Sequence, residues 1–181
     1  MKKEMFGTEI NLLRDTFRRL LRRHAKTNII KLINKTHPAD MALIYRYFNE
    51  GEQDAIFNLM NPSEATVEFL SELDEAITIR LLEQEDPQHM ASILEEASSN
   101  EQAYLMGLVN EGYAASVIKL LQTEEQEELE ELMAYPEDSA GSLMSTDVFT
   151  LHENTKAQEA IAALQDHEEA EMVFYLYAID D

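Results

Sequence analysis

The segment HPADMALIYRYFNEGEQDAIFNLMNP, residues 37–62, contains the pattern that decides the fold. It begins with His37-Pro38 and ends with Asn61-Pro62, and Asp86-Pro87 repeats the same kind of pair about 24 residues further on. A proline that follows a residue able to cap a helix favours the first helical position. Each of these pairs therefore predicts the start of a helix.

Further helix starts lie between the proline pairs. They fall near Asn49-Glu50, Leu73-Asp74, Ser98-Ser99 and Asn110-Glu111, so helices recur about every 12 residues. Such short helices cannot bury their apolar stripes alone, whereas helix pairs stacked in series form a continuous core. The sequence therefore predicts a mainly α fold in which residues 37–134 form an acidic α-solenoid.

Residues 1–36 are predicted to form a basic helical segment, with ten Lys/Arg against three Asp/Glu. Its apolar residues keep helical spacing: Leu12, Leu13, Phe17, Leu20 and Leu21. Its arginines fill the other face: Arg14, Arg18, Arg19, Arg22 and Arg23. Such a helix can bind a membrane surface or an anionic partner. The favoured interpretation is that the arginines complement the acidic body, because that partner lies in the same chain.

The rest of the chain is strongly negative, since residues 37–181 carry four Lys/Arg against 33 Asp/Glu. Such a surface repels nucleic acid and anionic lipid, so we expect cations or basic surfaces as partners. Adjacent carboxylates that lack bases repel one another, and a divalent cation relieves the repulsion. Magnesium and calcium both suit all-oxygen sites, and magnesium tolerates a loose site because it keeps several waters.

The pattern changes at residues 135–144, YPEDSAGSLM, whose Pro, Gly and two Ser are typical of a connector. We call this segment the joint. Beyond it, residues 147–151 and 172–179 predict strands on either side of a helix at 156–164. No further helix follows to cover the sheet, and an exposed strand edge is a pairing hazard. We therefore expect the chain to be a fragment of a longer protein.

The sequence favours neither an enzyme nor a membrane span. No Ser/His/Asp arrangement and no paired carboxylates with a supporting glycine-rich loop occur. No run of about 18 consecutive apolar residues occurs either. The chain contains no cysteine, which excludes disulfides and thiolate metal sites.

Three motifs together resemble the cytosolic region of MgtE-type magnesium transporters. They are HPAD at 37–40, YPEDSAGSLM at 135–144 and EMVFYLYAID at 171–180. The resemblance implies a right-handed superhelical, armadillo-like N domain, followed at 145–181 by the β-α-β start of a first CBS domain. It also implies further CBS domains and a transmembrane pore absent here, a homodimer, and a location on the cytoplasmic side of the cell membrane. Contact with the membrane is expected only through that pore.

The resemblance further implies that Mg²⁺ bridges acidic surfaces and closes the pore when intracellular magnesium is high. The expected magnesium contacts are carboxylates of the solenoid and the joint: Glu68, Glu64, Glu101, Glu137 and Asp138. Near Glu101 the sequence departs from the family, because Asn100 and Tyr104 stand about where aspartates are expected.

Two further residues have expected roles, one in nucleotide binding and one as a hinge. Tyr175 falls where related CBS domains place an aromatic residue beside adenine nucleotide, although a buried strand residue is the favoured alternative. Gly141 is the expected hinge of the joint. The competing function for the whole chain is an acidic α-solenoid that acts as a protein-interaction scaffold without a role in transport.

Overall fold

The computed structural model describes residues 2–136, 139–141, 144, 149–166 and 176–180, and of residues 2–8, 124 and 166 it describes the backbone only. The chain divides into two compact units, Met1–Met144 and Ser145–Asp181. Each unit is described by itself below.

Helices account for most of the first unit. They are α1 (Lys2–Arg22), α2 (Lys26–Ile33), α3 (Pro38–Tyr45), α4 (Glu50–Phe57), α5 (Glu64–Ser71), α6 (Glu75–Gln84), α7 (Pro87–Leu94), α8 (Ser99–Leu108), α9 (Glu111–Ile118) and α10 (Thr123–Met133). From α3 onward a helix begins about every 12 residues. The predicted mainly α fold of short, serially packed helices is confirmed.

Side-chain caps set several of these helix starts. His37 Nδ1 accepts a hydrogen bond from the Ala39 amide at 3.3 Å, and Asp86 Oδ1 accepts one from the Gln88 amide at 2.9 Å. Pro38 and Pro87 follow these caps as the first helical residues, as predicted.

The predicted helix start at Pro62 is wrong. Helix α5 begins at Glu64, with Ser63 as its N-cap residue in an extended conformation. The carbonyl of Asn61 accepts a hydrogen bond from Thr66 Oγ1 at 2.7 Å. This bond holds Asn61 and Pro62 in the turn before the helix, so the proline marks the turn rather than the first helical position.

Apolar side chains of α1 and of the repeats share one core. Phe17 of α1 is fully buried and meets Phe48 edge to face, with ring centroids 6.1 Å apart. Tyr45 packs edge to face on Phe69 at 5.0 Å, which joins α3 to α5. Helix α1 therefore forms part of the first unit's core.

A polar ladder accompanies this core. The fourth residue of α4, α6, α8 and α10 is polar: Gln53, Thr78, Gln102 and Gln126. Their side chains donate, in that order, to carbonyls at or near the end of the preceding helix: Tyr45 (3.1 Å), Leu70 (3.2 Å), Leu94 (2.9 Å) and Leu121 (2.6 Å). Three of these four carbonyls also accept a hydrogen bond from a backbone amide of the following turn, so there the ladder adds a second hydrogen bond.

The second unit contains β1 (Thr150–His152), α11 (Ala157–Asp166) and β2 (Tyr177–Ile179). The strands pair in parallel, with Leu151 opposite Ala178. A helical crossover between parallel strands is the expected β-α-β arrangement. The predicted strands at 147–151 and 172–179 fall partly outside the described residues.

Candidate functional site

The surface of the solenoid is largely acidic and lacks neutralising bases. Residues 37–134 contain 22 Asp/Glu against three Lys/Arg. The described ion pairs of these carboxylates with Lys or Arg are Glu52–Arg18 (3.7 Å), Asp54–Arg80 (2.6 Å) and Asp74–Arg46 (3.9 Å). Most carboxylates of the solenoid therefore rely on solvent or on counter-ions to limit their mutual repulsion.

Glu68 lies on α5 with 46% of its side chain exposed, and its Oε1 is 3.8 Å from His37 Nδ1. The same His37 nitrogen accepts a hydrogen bond from the Ala39 amide, so in this arrangement it carries no proton to donate to Glu68. Among the residues that the structure describes, no Lys or Arg pairs with Glu68. Its carboxylate therefore remains available to a cation.

Glu64 is the first residue of α5 and is exposed. Residues four apart share one face of a helix, so Glu64 and Glu68 lie along the same edge of α5. The positive end of the helix also favours a carboxylate in the first turn. Within the described part of the chain, no three His, Cys, Asp or Glu side chains come close enough to hold a metal ion. Helix α5 thus carries two carboxylates on one edge, without a third metal-ligating side chain close enough to complete a site with them in the described structure.

Glu101 has a local structural role on α8. Its Oε2 accepts hydrogen bonds from the Ser98 amide at 3.0 Å and from Ser98 Oγ at 2.5 Å, which forms a capping box at the helix start. Nearby Tyr104 is 42% exposed. Burial of its phenol, and then the charge of Glu75, raise the pKa of Tyr104. This edge of α8 therefore presents the neutral phenol of Tyr104, and the carboxylate of Glu101 is already hydrogen-bonded to Ser98.

The acidic stretch at the end of α6 is also engaged. Glu83 Oε1 accepts a hydrogen bond from Asn110 Nδ2 at 2.8 Å, and the Glu85 carboxylate lies 3.0 Å from His89 Nδ1. The hydroxyl of Tyr113 donates to the Glu85 carbonyl at 3.2 Å. Burial, together with the nearby carboxylates, raises the pKa of Tyr113 to about 12. These contacts join α6 and its following turn to α9.

Three expected site residues, Glu137, Asp138 and Tyr175, lie outside the described residues. Gly141 is described, and the ring of Tyr135 lies against it. A Cβ placed at Gly141 would overlap ring atoms Cγ, Cδ1 and Cε1 of Tyr135. Its φ angle is not positive. The close approach of the ring, rather than an unusual backbone conformation, therefore favours glycine at this position.

Sequence reasoning missed a polar network around Arg80. The guanidinium donates to Asp54 Oδ1 at 2.6 Å and to Gln53 Oε1 at 2.7 Å, and the Tyr45 hydroxyl donates to the Gln53 carbonyl at 2.6 Å. Burial raises the pKa of Tyr45, while the nearby Arg80 charge opposes that rise. Arg80 is one of only three Lys/Arg within residues 37–134. The scarcity of bases in this acidic segment was the signal that could have indicated a structural role for Arg80.

These features define an acidic helical-repeat domain followed by a β-α-β unit. The chain belongs to the MgtE intracellular N domain family, whose profile matches residues 36–138. It is similar to the magnesium transporter MgtE of Bacillus subtilis (strain 168), with 22% identity over 151 residues. The match covers 83% of this chain and 33% of that relative, so the chain spans about a third of the relative's length.

Two solved structures share the fold. The cytosolic domain of the Mg²⁺ channel MgtE in complex with ATP aligns with a TM-score of 0.83 and 23% identity, over 93% of this chain and 69% of that one. The soluble part of a magnesium transporter aligns with a TM-score of 0.75 and 20% identity, over 95% and 68%. The expected resemblance to the MgtE cytosolic region is confirmed.

The family is described as an intracellular domain, which agrees with the expected location on the cytoplasmic side of the cell membrane. The matched proteins are transporters or parts of them, and none is described as an enzyme. Across the described residues, no helix combines the length and apolar character that a membrane crossing requires.

Proposed function

We propose that the chain is the cytoplasmic, magnesium-sensing regulatory region of a magnesium transporter or channel. Its acidic surfaces would bind Mg²⁺ together with CBS domains and a pore elsewhere in a homodimeric protein, and would favour a closed pore when intracellular magnesium is high. Family membership and the magnesium transporter that the chain resembles support this proposal.

The observation that carries the proposal is the unneutralised acidic surface, with Glu64 and Glu68 on one edge of α5. Carboxylate oxygens are the donors that Mg²⁺ prefers, and one or two carboxylates suffice because the ion keeps several waters. A cation shared with a second acidic surface would offset the repulsion between the two. The switch operates only if the ion binds the compact state more tightly than the open one.

The remaining expected residues keep proposed roles of different kinds. Glu137 and Asp138 of the joint are proposed as further carboxylates for the shared cation. Glu101 is the weaker candidate, because a metal ion there would compete with the capping box. Tyr175 is proposed as a contact for adenine nucleotide, a ligand class present in one structural neighbour.

Limited proteolysis of the full-length protein, with and without millimolar Mg²⁺, tests the proposal. We expect magnesium to slow cleavage, a chelator to restore it, and Glu68→Gln to raise the magnesium concentration that gives half-maximal protection about tenfold, equivalent to about 1.4 kcal/mol. Glu111→Gln is the matched control, since it removes one exposed carboxylate from the first turn of α9. Equal shifts in the two variants would contradict a specific role for Glu68.

The alternative is an acidic scaffold that binds a basic protein surface. The same acidic surface supports it, because an excess of carboxylates over bases attracts a basic protein as well as a cation. In that case magnesium would leave the cleavage pattern of the full-length protein unchanged. A salt-sensitive complex with a basic protein, combined with that unchanged pattern, would replace the magnesium-sensing proposal.

A further inference from the structure

The arginines of α1 separate into two groups in the structure. Arg18 faces the repeats, where Nη2 donates to the Tyr47 carbonyl at 2.5 Å and Nε lies 3.7 Å from Glu52. Arg14 pairs with Asp15 and places its guanidinium 5.9 Å from the centre of the Tyr47 ring. The favoured sequence interpretation, in which the arginines complement the acidic body, therefore holds for Arg18.

The other bases of this region form what we call the basic patch. Its members are exposed and lie on the second half of α1, on α2 and on the turns that follow these helices: Arg19, Arg22, Arg23, Lys26, Lys31 and Lys35. None of the six forms an ion pair within the described part of the chain. Residues 16–36 contain no Asp or Glu at all. The positive charge of the patch is therefore uncompensated by its own segment.

Apolar surface accompanies the bases. A groove of about 520 Å³ is lined by Arg22 and Lys26, by the apolar side chains of Leu21 and Leu59, and by polar residues that include Glu52. On α1, Leu12 is 69% exposed and lies seven residues, or about two helical turns, before Arg19. Cations beside apolar groups match the interfacial region of a bilayer, where phosphates lie above acyl chains. A purely polar polyanion would use only the charges.

The net charge of the whole chain does not prevent such docking. At physiological salt, charges further away than about 8 Å are largely screened, so the patch acts as a local positive surface.

We propose that the basic patch docks on the anionic lipid headgroups of the membrane's cytoplasmic leaflet. This inference rests on the proposed function, which places the domain beside a bilayer. It adds a membrane contact to the one expected through the pore.

Cosedimentation of the 181-residue chain with lipid vesicles, in the presence of a magnesium chelator, tests the proposal. We expect binding to vesicles of phosphatidylserine and phosphatidylcholine, none to pure phosphatidylcholine, and weaker binding as salt rises. The variant Arg19→Gln/Arg22→Gln/Arg23→Gln should partition about a hundredfold less, because each base near an anionic surface contributes to binding.

A matched control removes three bases outside the patch: Arg46→Gln/Lys119→Gln/Lys156→Gln. It changes the net charge by the same amount and should bind like the wild type. The variant Lys26→Gln/Lys31→Gln/Lys35→Gln should lose binding as the α1 variant does. Far-UV circular dichroism verifies that each variant is folded.

Several results would overturn the proposal. They are no binding to anionic vesicles, equal losses in the patch and control variants, or a patch that instead mediates salt-sensitive dimerisation or RNA binding. The vesicle assay contains no free magnesium, whereas the proteolysis assay depends on it. Failure of lipid docking is therefore distinguishable from failure of magnesium sensing.

Discussion

The first unit and the β-α-β unit differ in how they treat apolar side chains. Among the described residues, every buried apolar side chain lies between Phe17 and Leu132, and the second unit contributes none. In that unit Ile161 and Tyr177 are 58% and 52% exposed. Within the described residues of this unit, two three-residue strands and one helix bury no apolar side chain. The helical repeats therefore supply the stability of the described structure.

The repeats achieve this because each helix pair meets its neighbours through both apolar and polar contacts. Helix α5 packs against α3, α7 and α8, so each added helix extends the same core. The polar ladder of Gln53, Thr78, Gln102 and Gln126 recurs every 24 or 25 residues and adds side-chain hydrogen bonds to carbonyls at or near the helix ends.

Two side-chain truncations, one in each unit, test whether the repeats supply most of the stability. Their difference is the largest effect that we expect. Leu82→Ala removes a fully buried side chain of α6 and should lower the free energy of unfolding by about 3 kcal/mol. Ile161→Ala should cost less than about 0.5 kcal/mol, because that side chain is largely exposed. Urea denaturation followed by far-UV circular dichroism measures both. Similar costs would contradict a concentration of stability in the repeats.

Removal of Arg80 compares a partly buried polar network of the solenoid with an exposed ion pair of the same domain. Gln53 is only 5% exposed, and Arg80→Met removes the donor to its side-chain oxygen. The same change leaves Asp54 without its ion-pair partner. We therefore expect the free energy of unfolding to fall by about 2 kcal/mol. Arg46→Met is the control, because the Arg46–Asp74 contact is long at 3.9 Å and about half exposed. That change should cost less than about 0.5 kcal/mol in the same urea assay. Equal costs would mean that the network around Arg80 adds nothing beyond surface charge.

The repeat was predictable from sequence because proline pairs and apolar spacing are local signals. Pro62 shows the limit of such signals, since the bond from Thr66 to the Asn61 carbonyl delays the helix. The sequence also contained Ser98-x-x-Glu101, the spacing of a capping box, whereas the family resemblance suggested a metal role for Glu101, which stays a prediction.

Other features depend on contacts between residues far apart in the chain. Arg80 contacts Gln53 and Asp54, which lie 27 and 26 residues earlier in the chain. The spacing of apolar residues along the sequence does not predict such a contact. Likewise, the exposure of Glu68 and its approach to His37 across helices α3 and α5 follow from how the helices stack. The sequence therefore names candidate carboxylates by type and position alone, whereas their contacts required the fold.

The smallest expected effect concerns Gly141, in the joint. Gly141→Ala places a methyl group against the Tyr135 ring and should cost about 1 kcal/mol, because the partly exposed ring can shift. Gly107→Ala on α8 meets open space and should instead stabilise the chain by roughly 0.5 kcal/mol. If ring contact is the reason for glycine, Gly141→Ala should cost nothing further in a Tyr135→Ala background.

The same variants separate ring contact from the proposed hinge. In the full-length protein, Gly141→Ala/Tyr135→Ala should retain the wild-type dependence of proteolysis on magnesium if Gly141 only accommodates the ring. Gly141→Pro fixes the backbone φ angle and should reduce that dependence if the residue is a pivot. An unchanged magnesium response in Gly141→Pro would remove the hinge role and leave Tyr135 as the reason for glycine at this position.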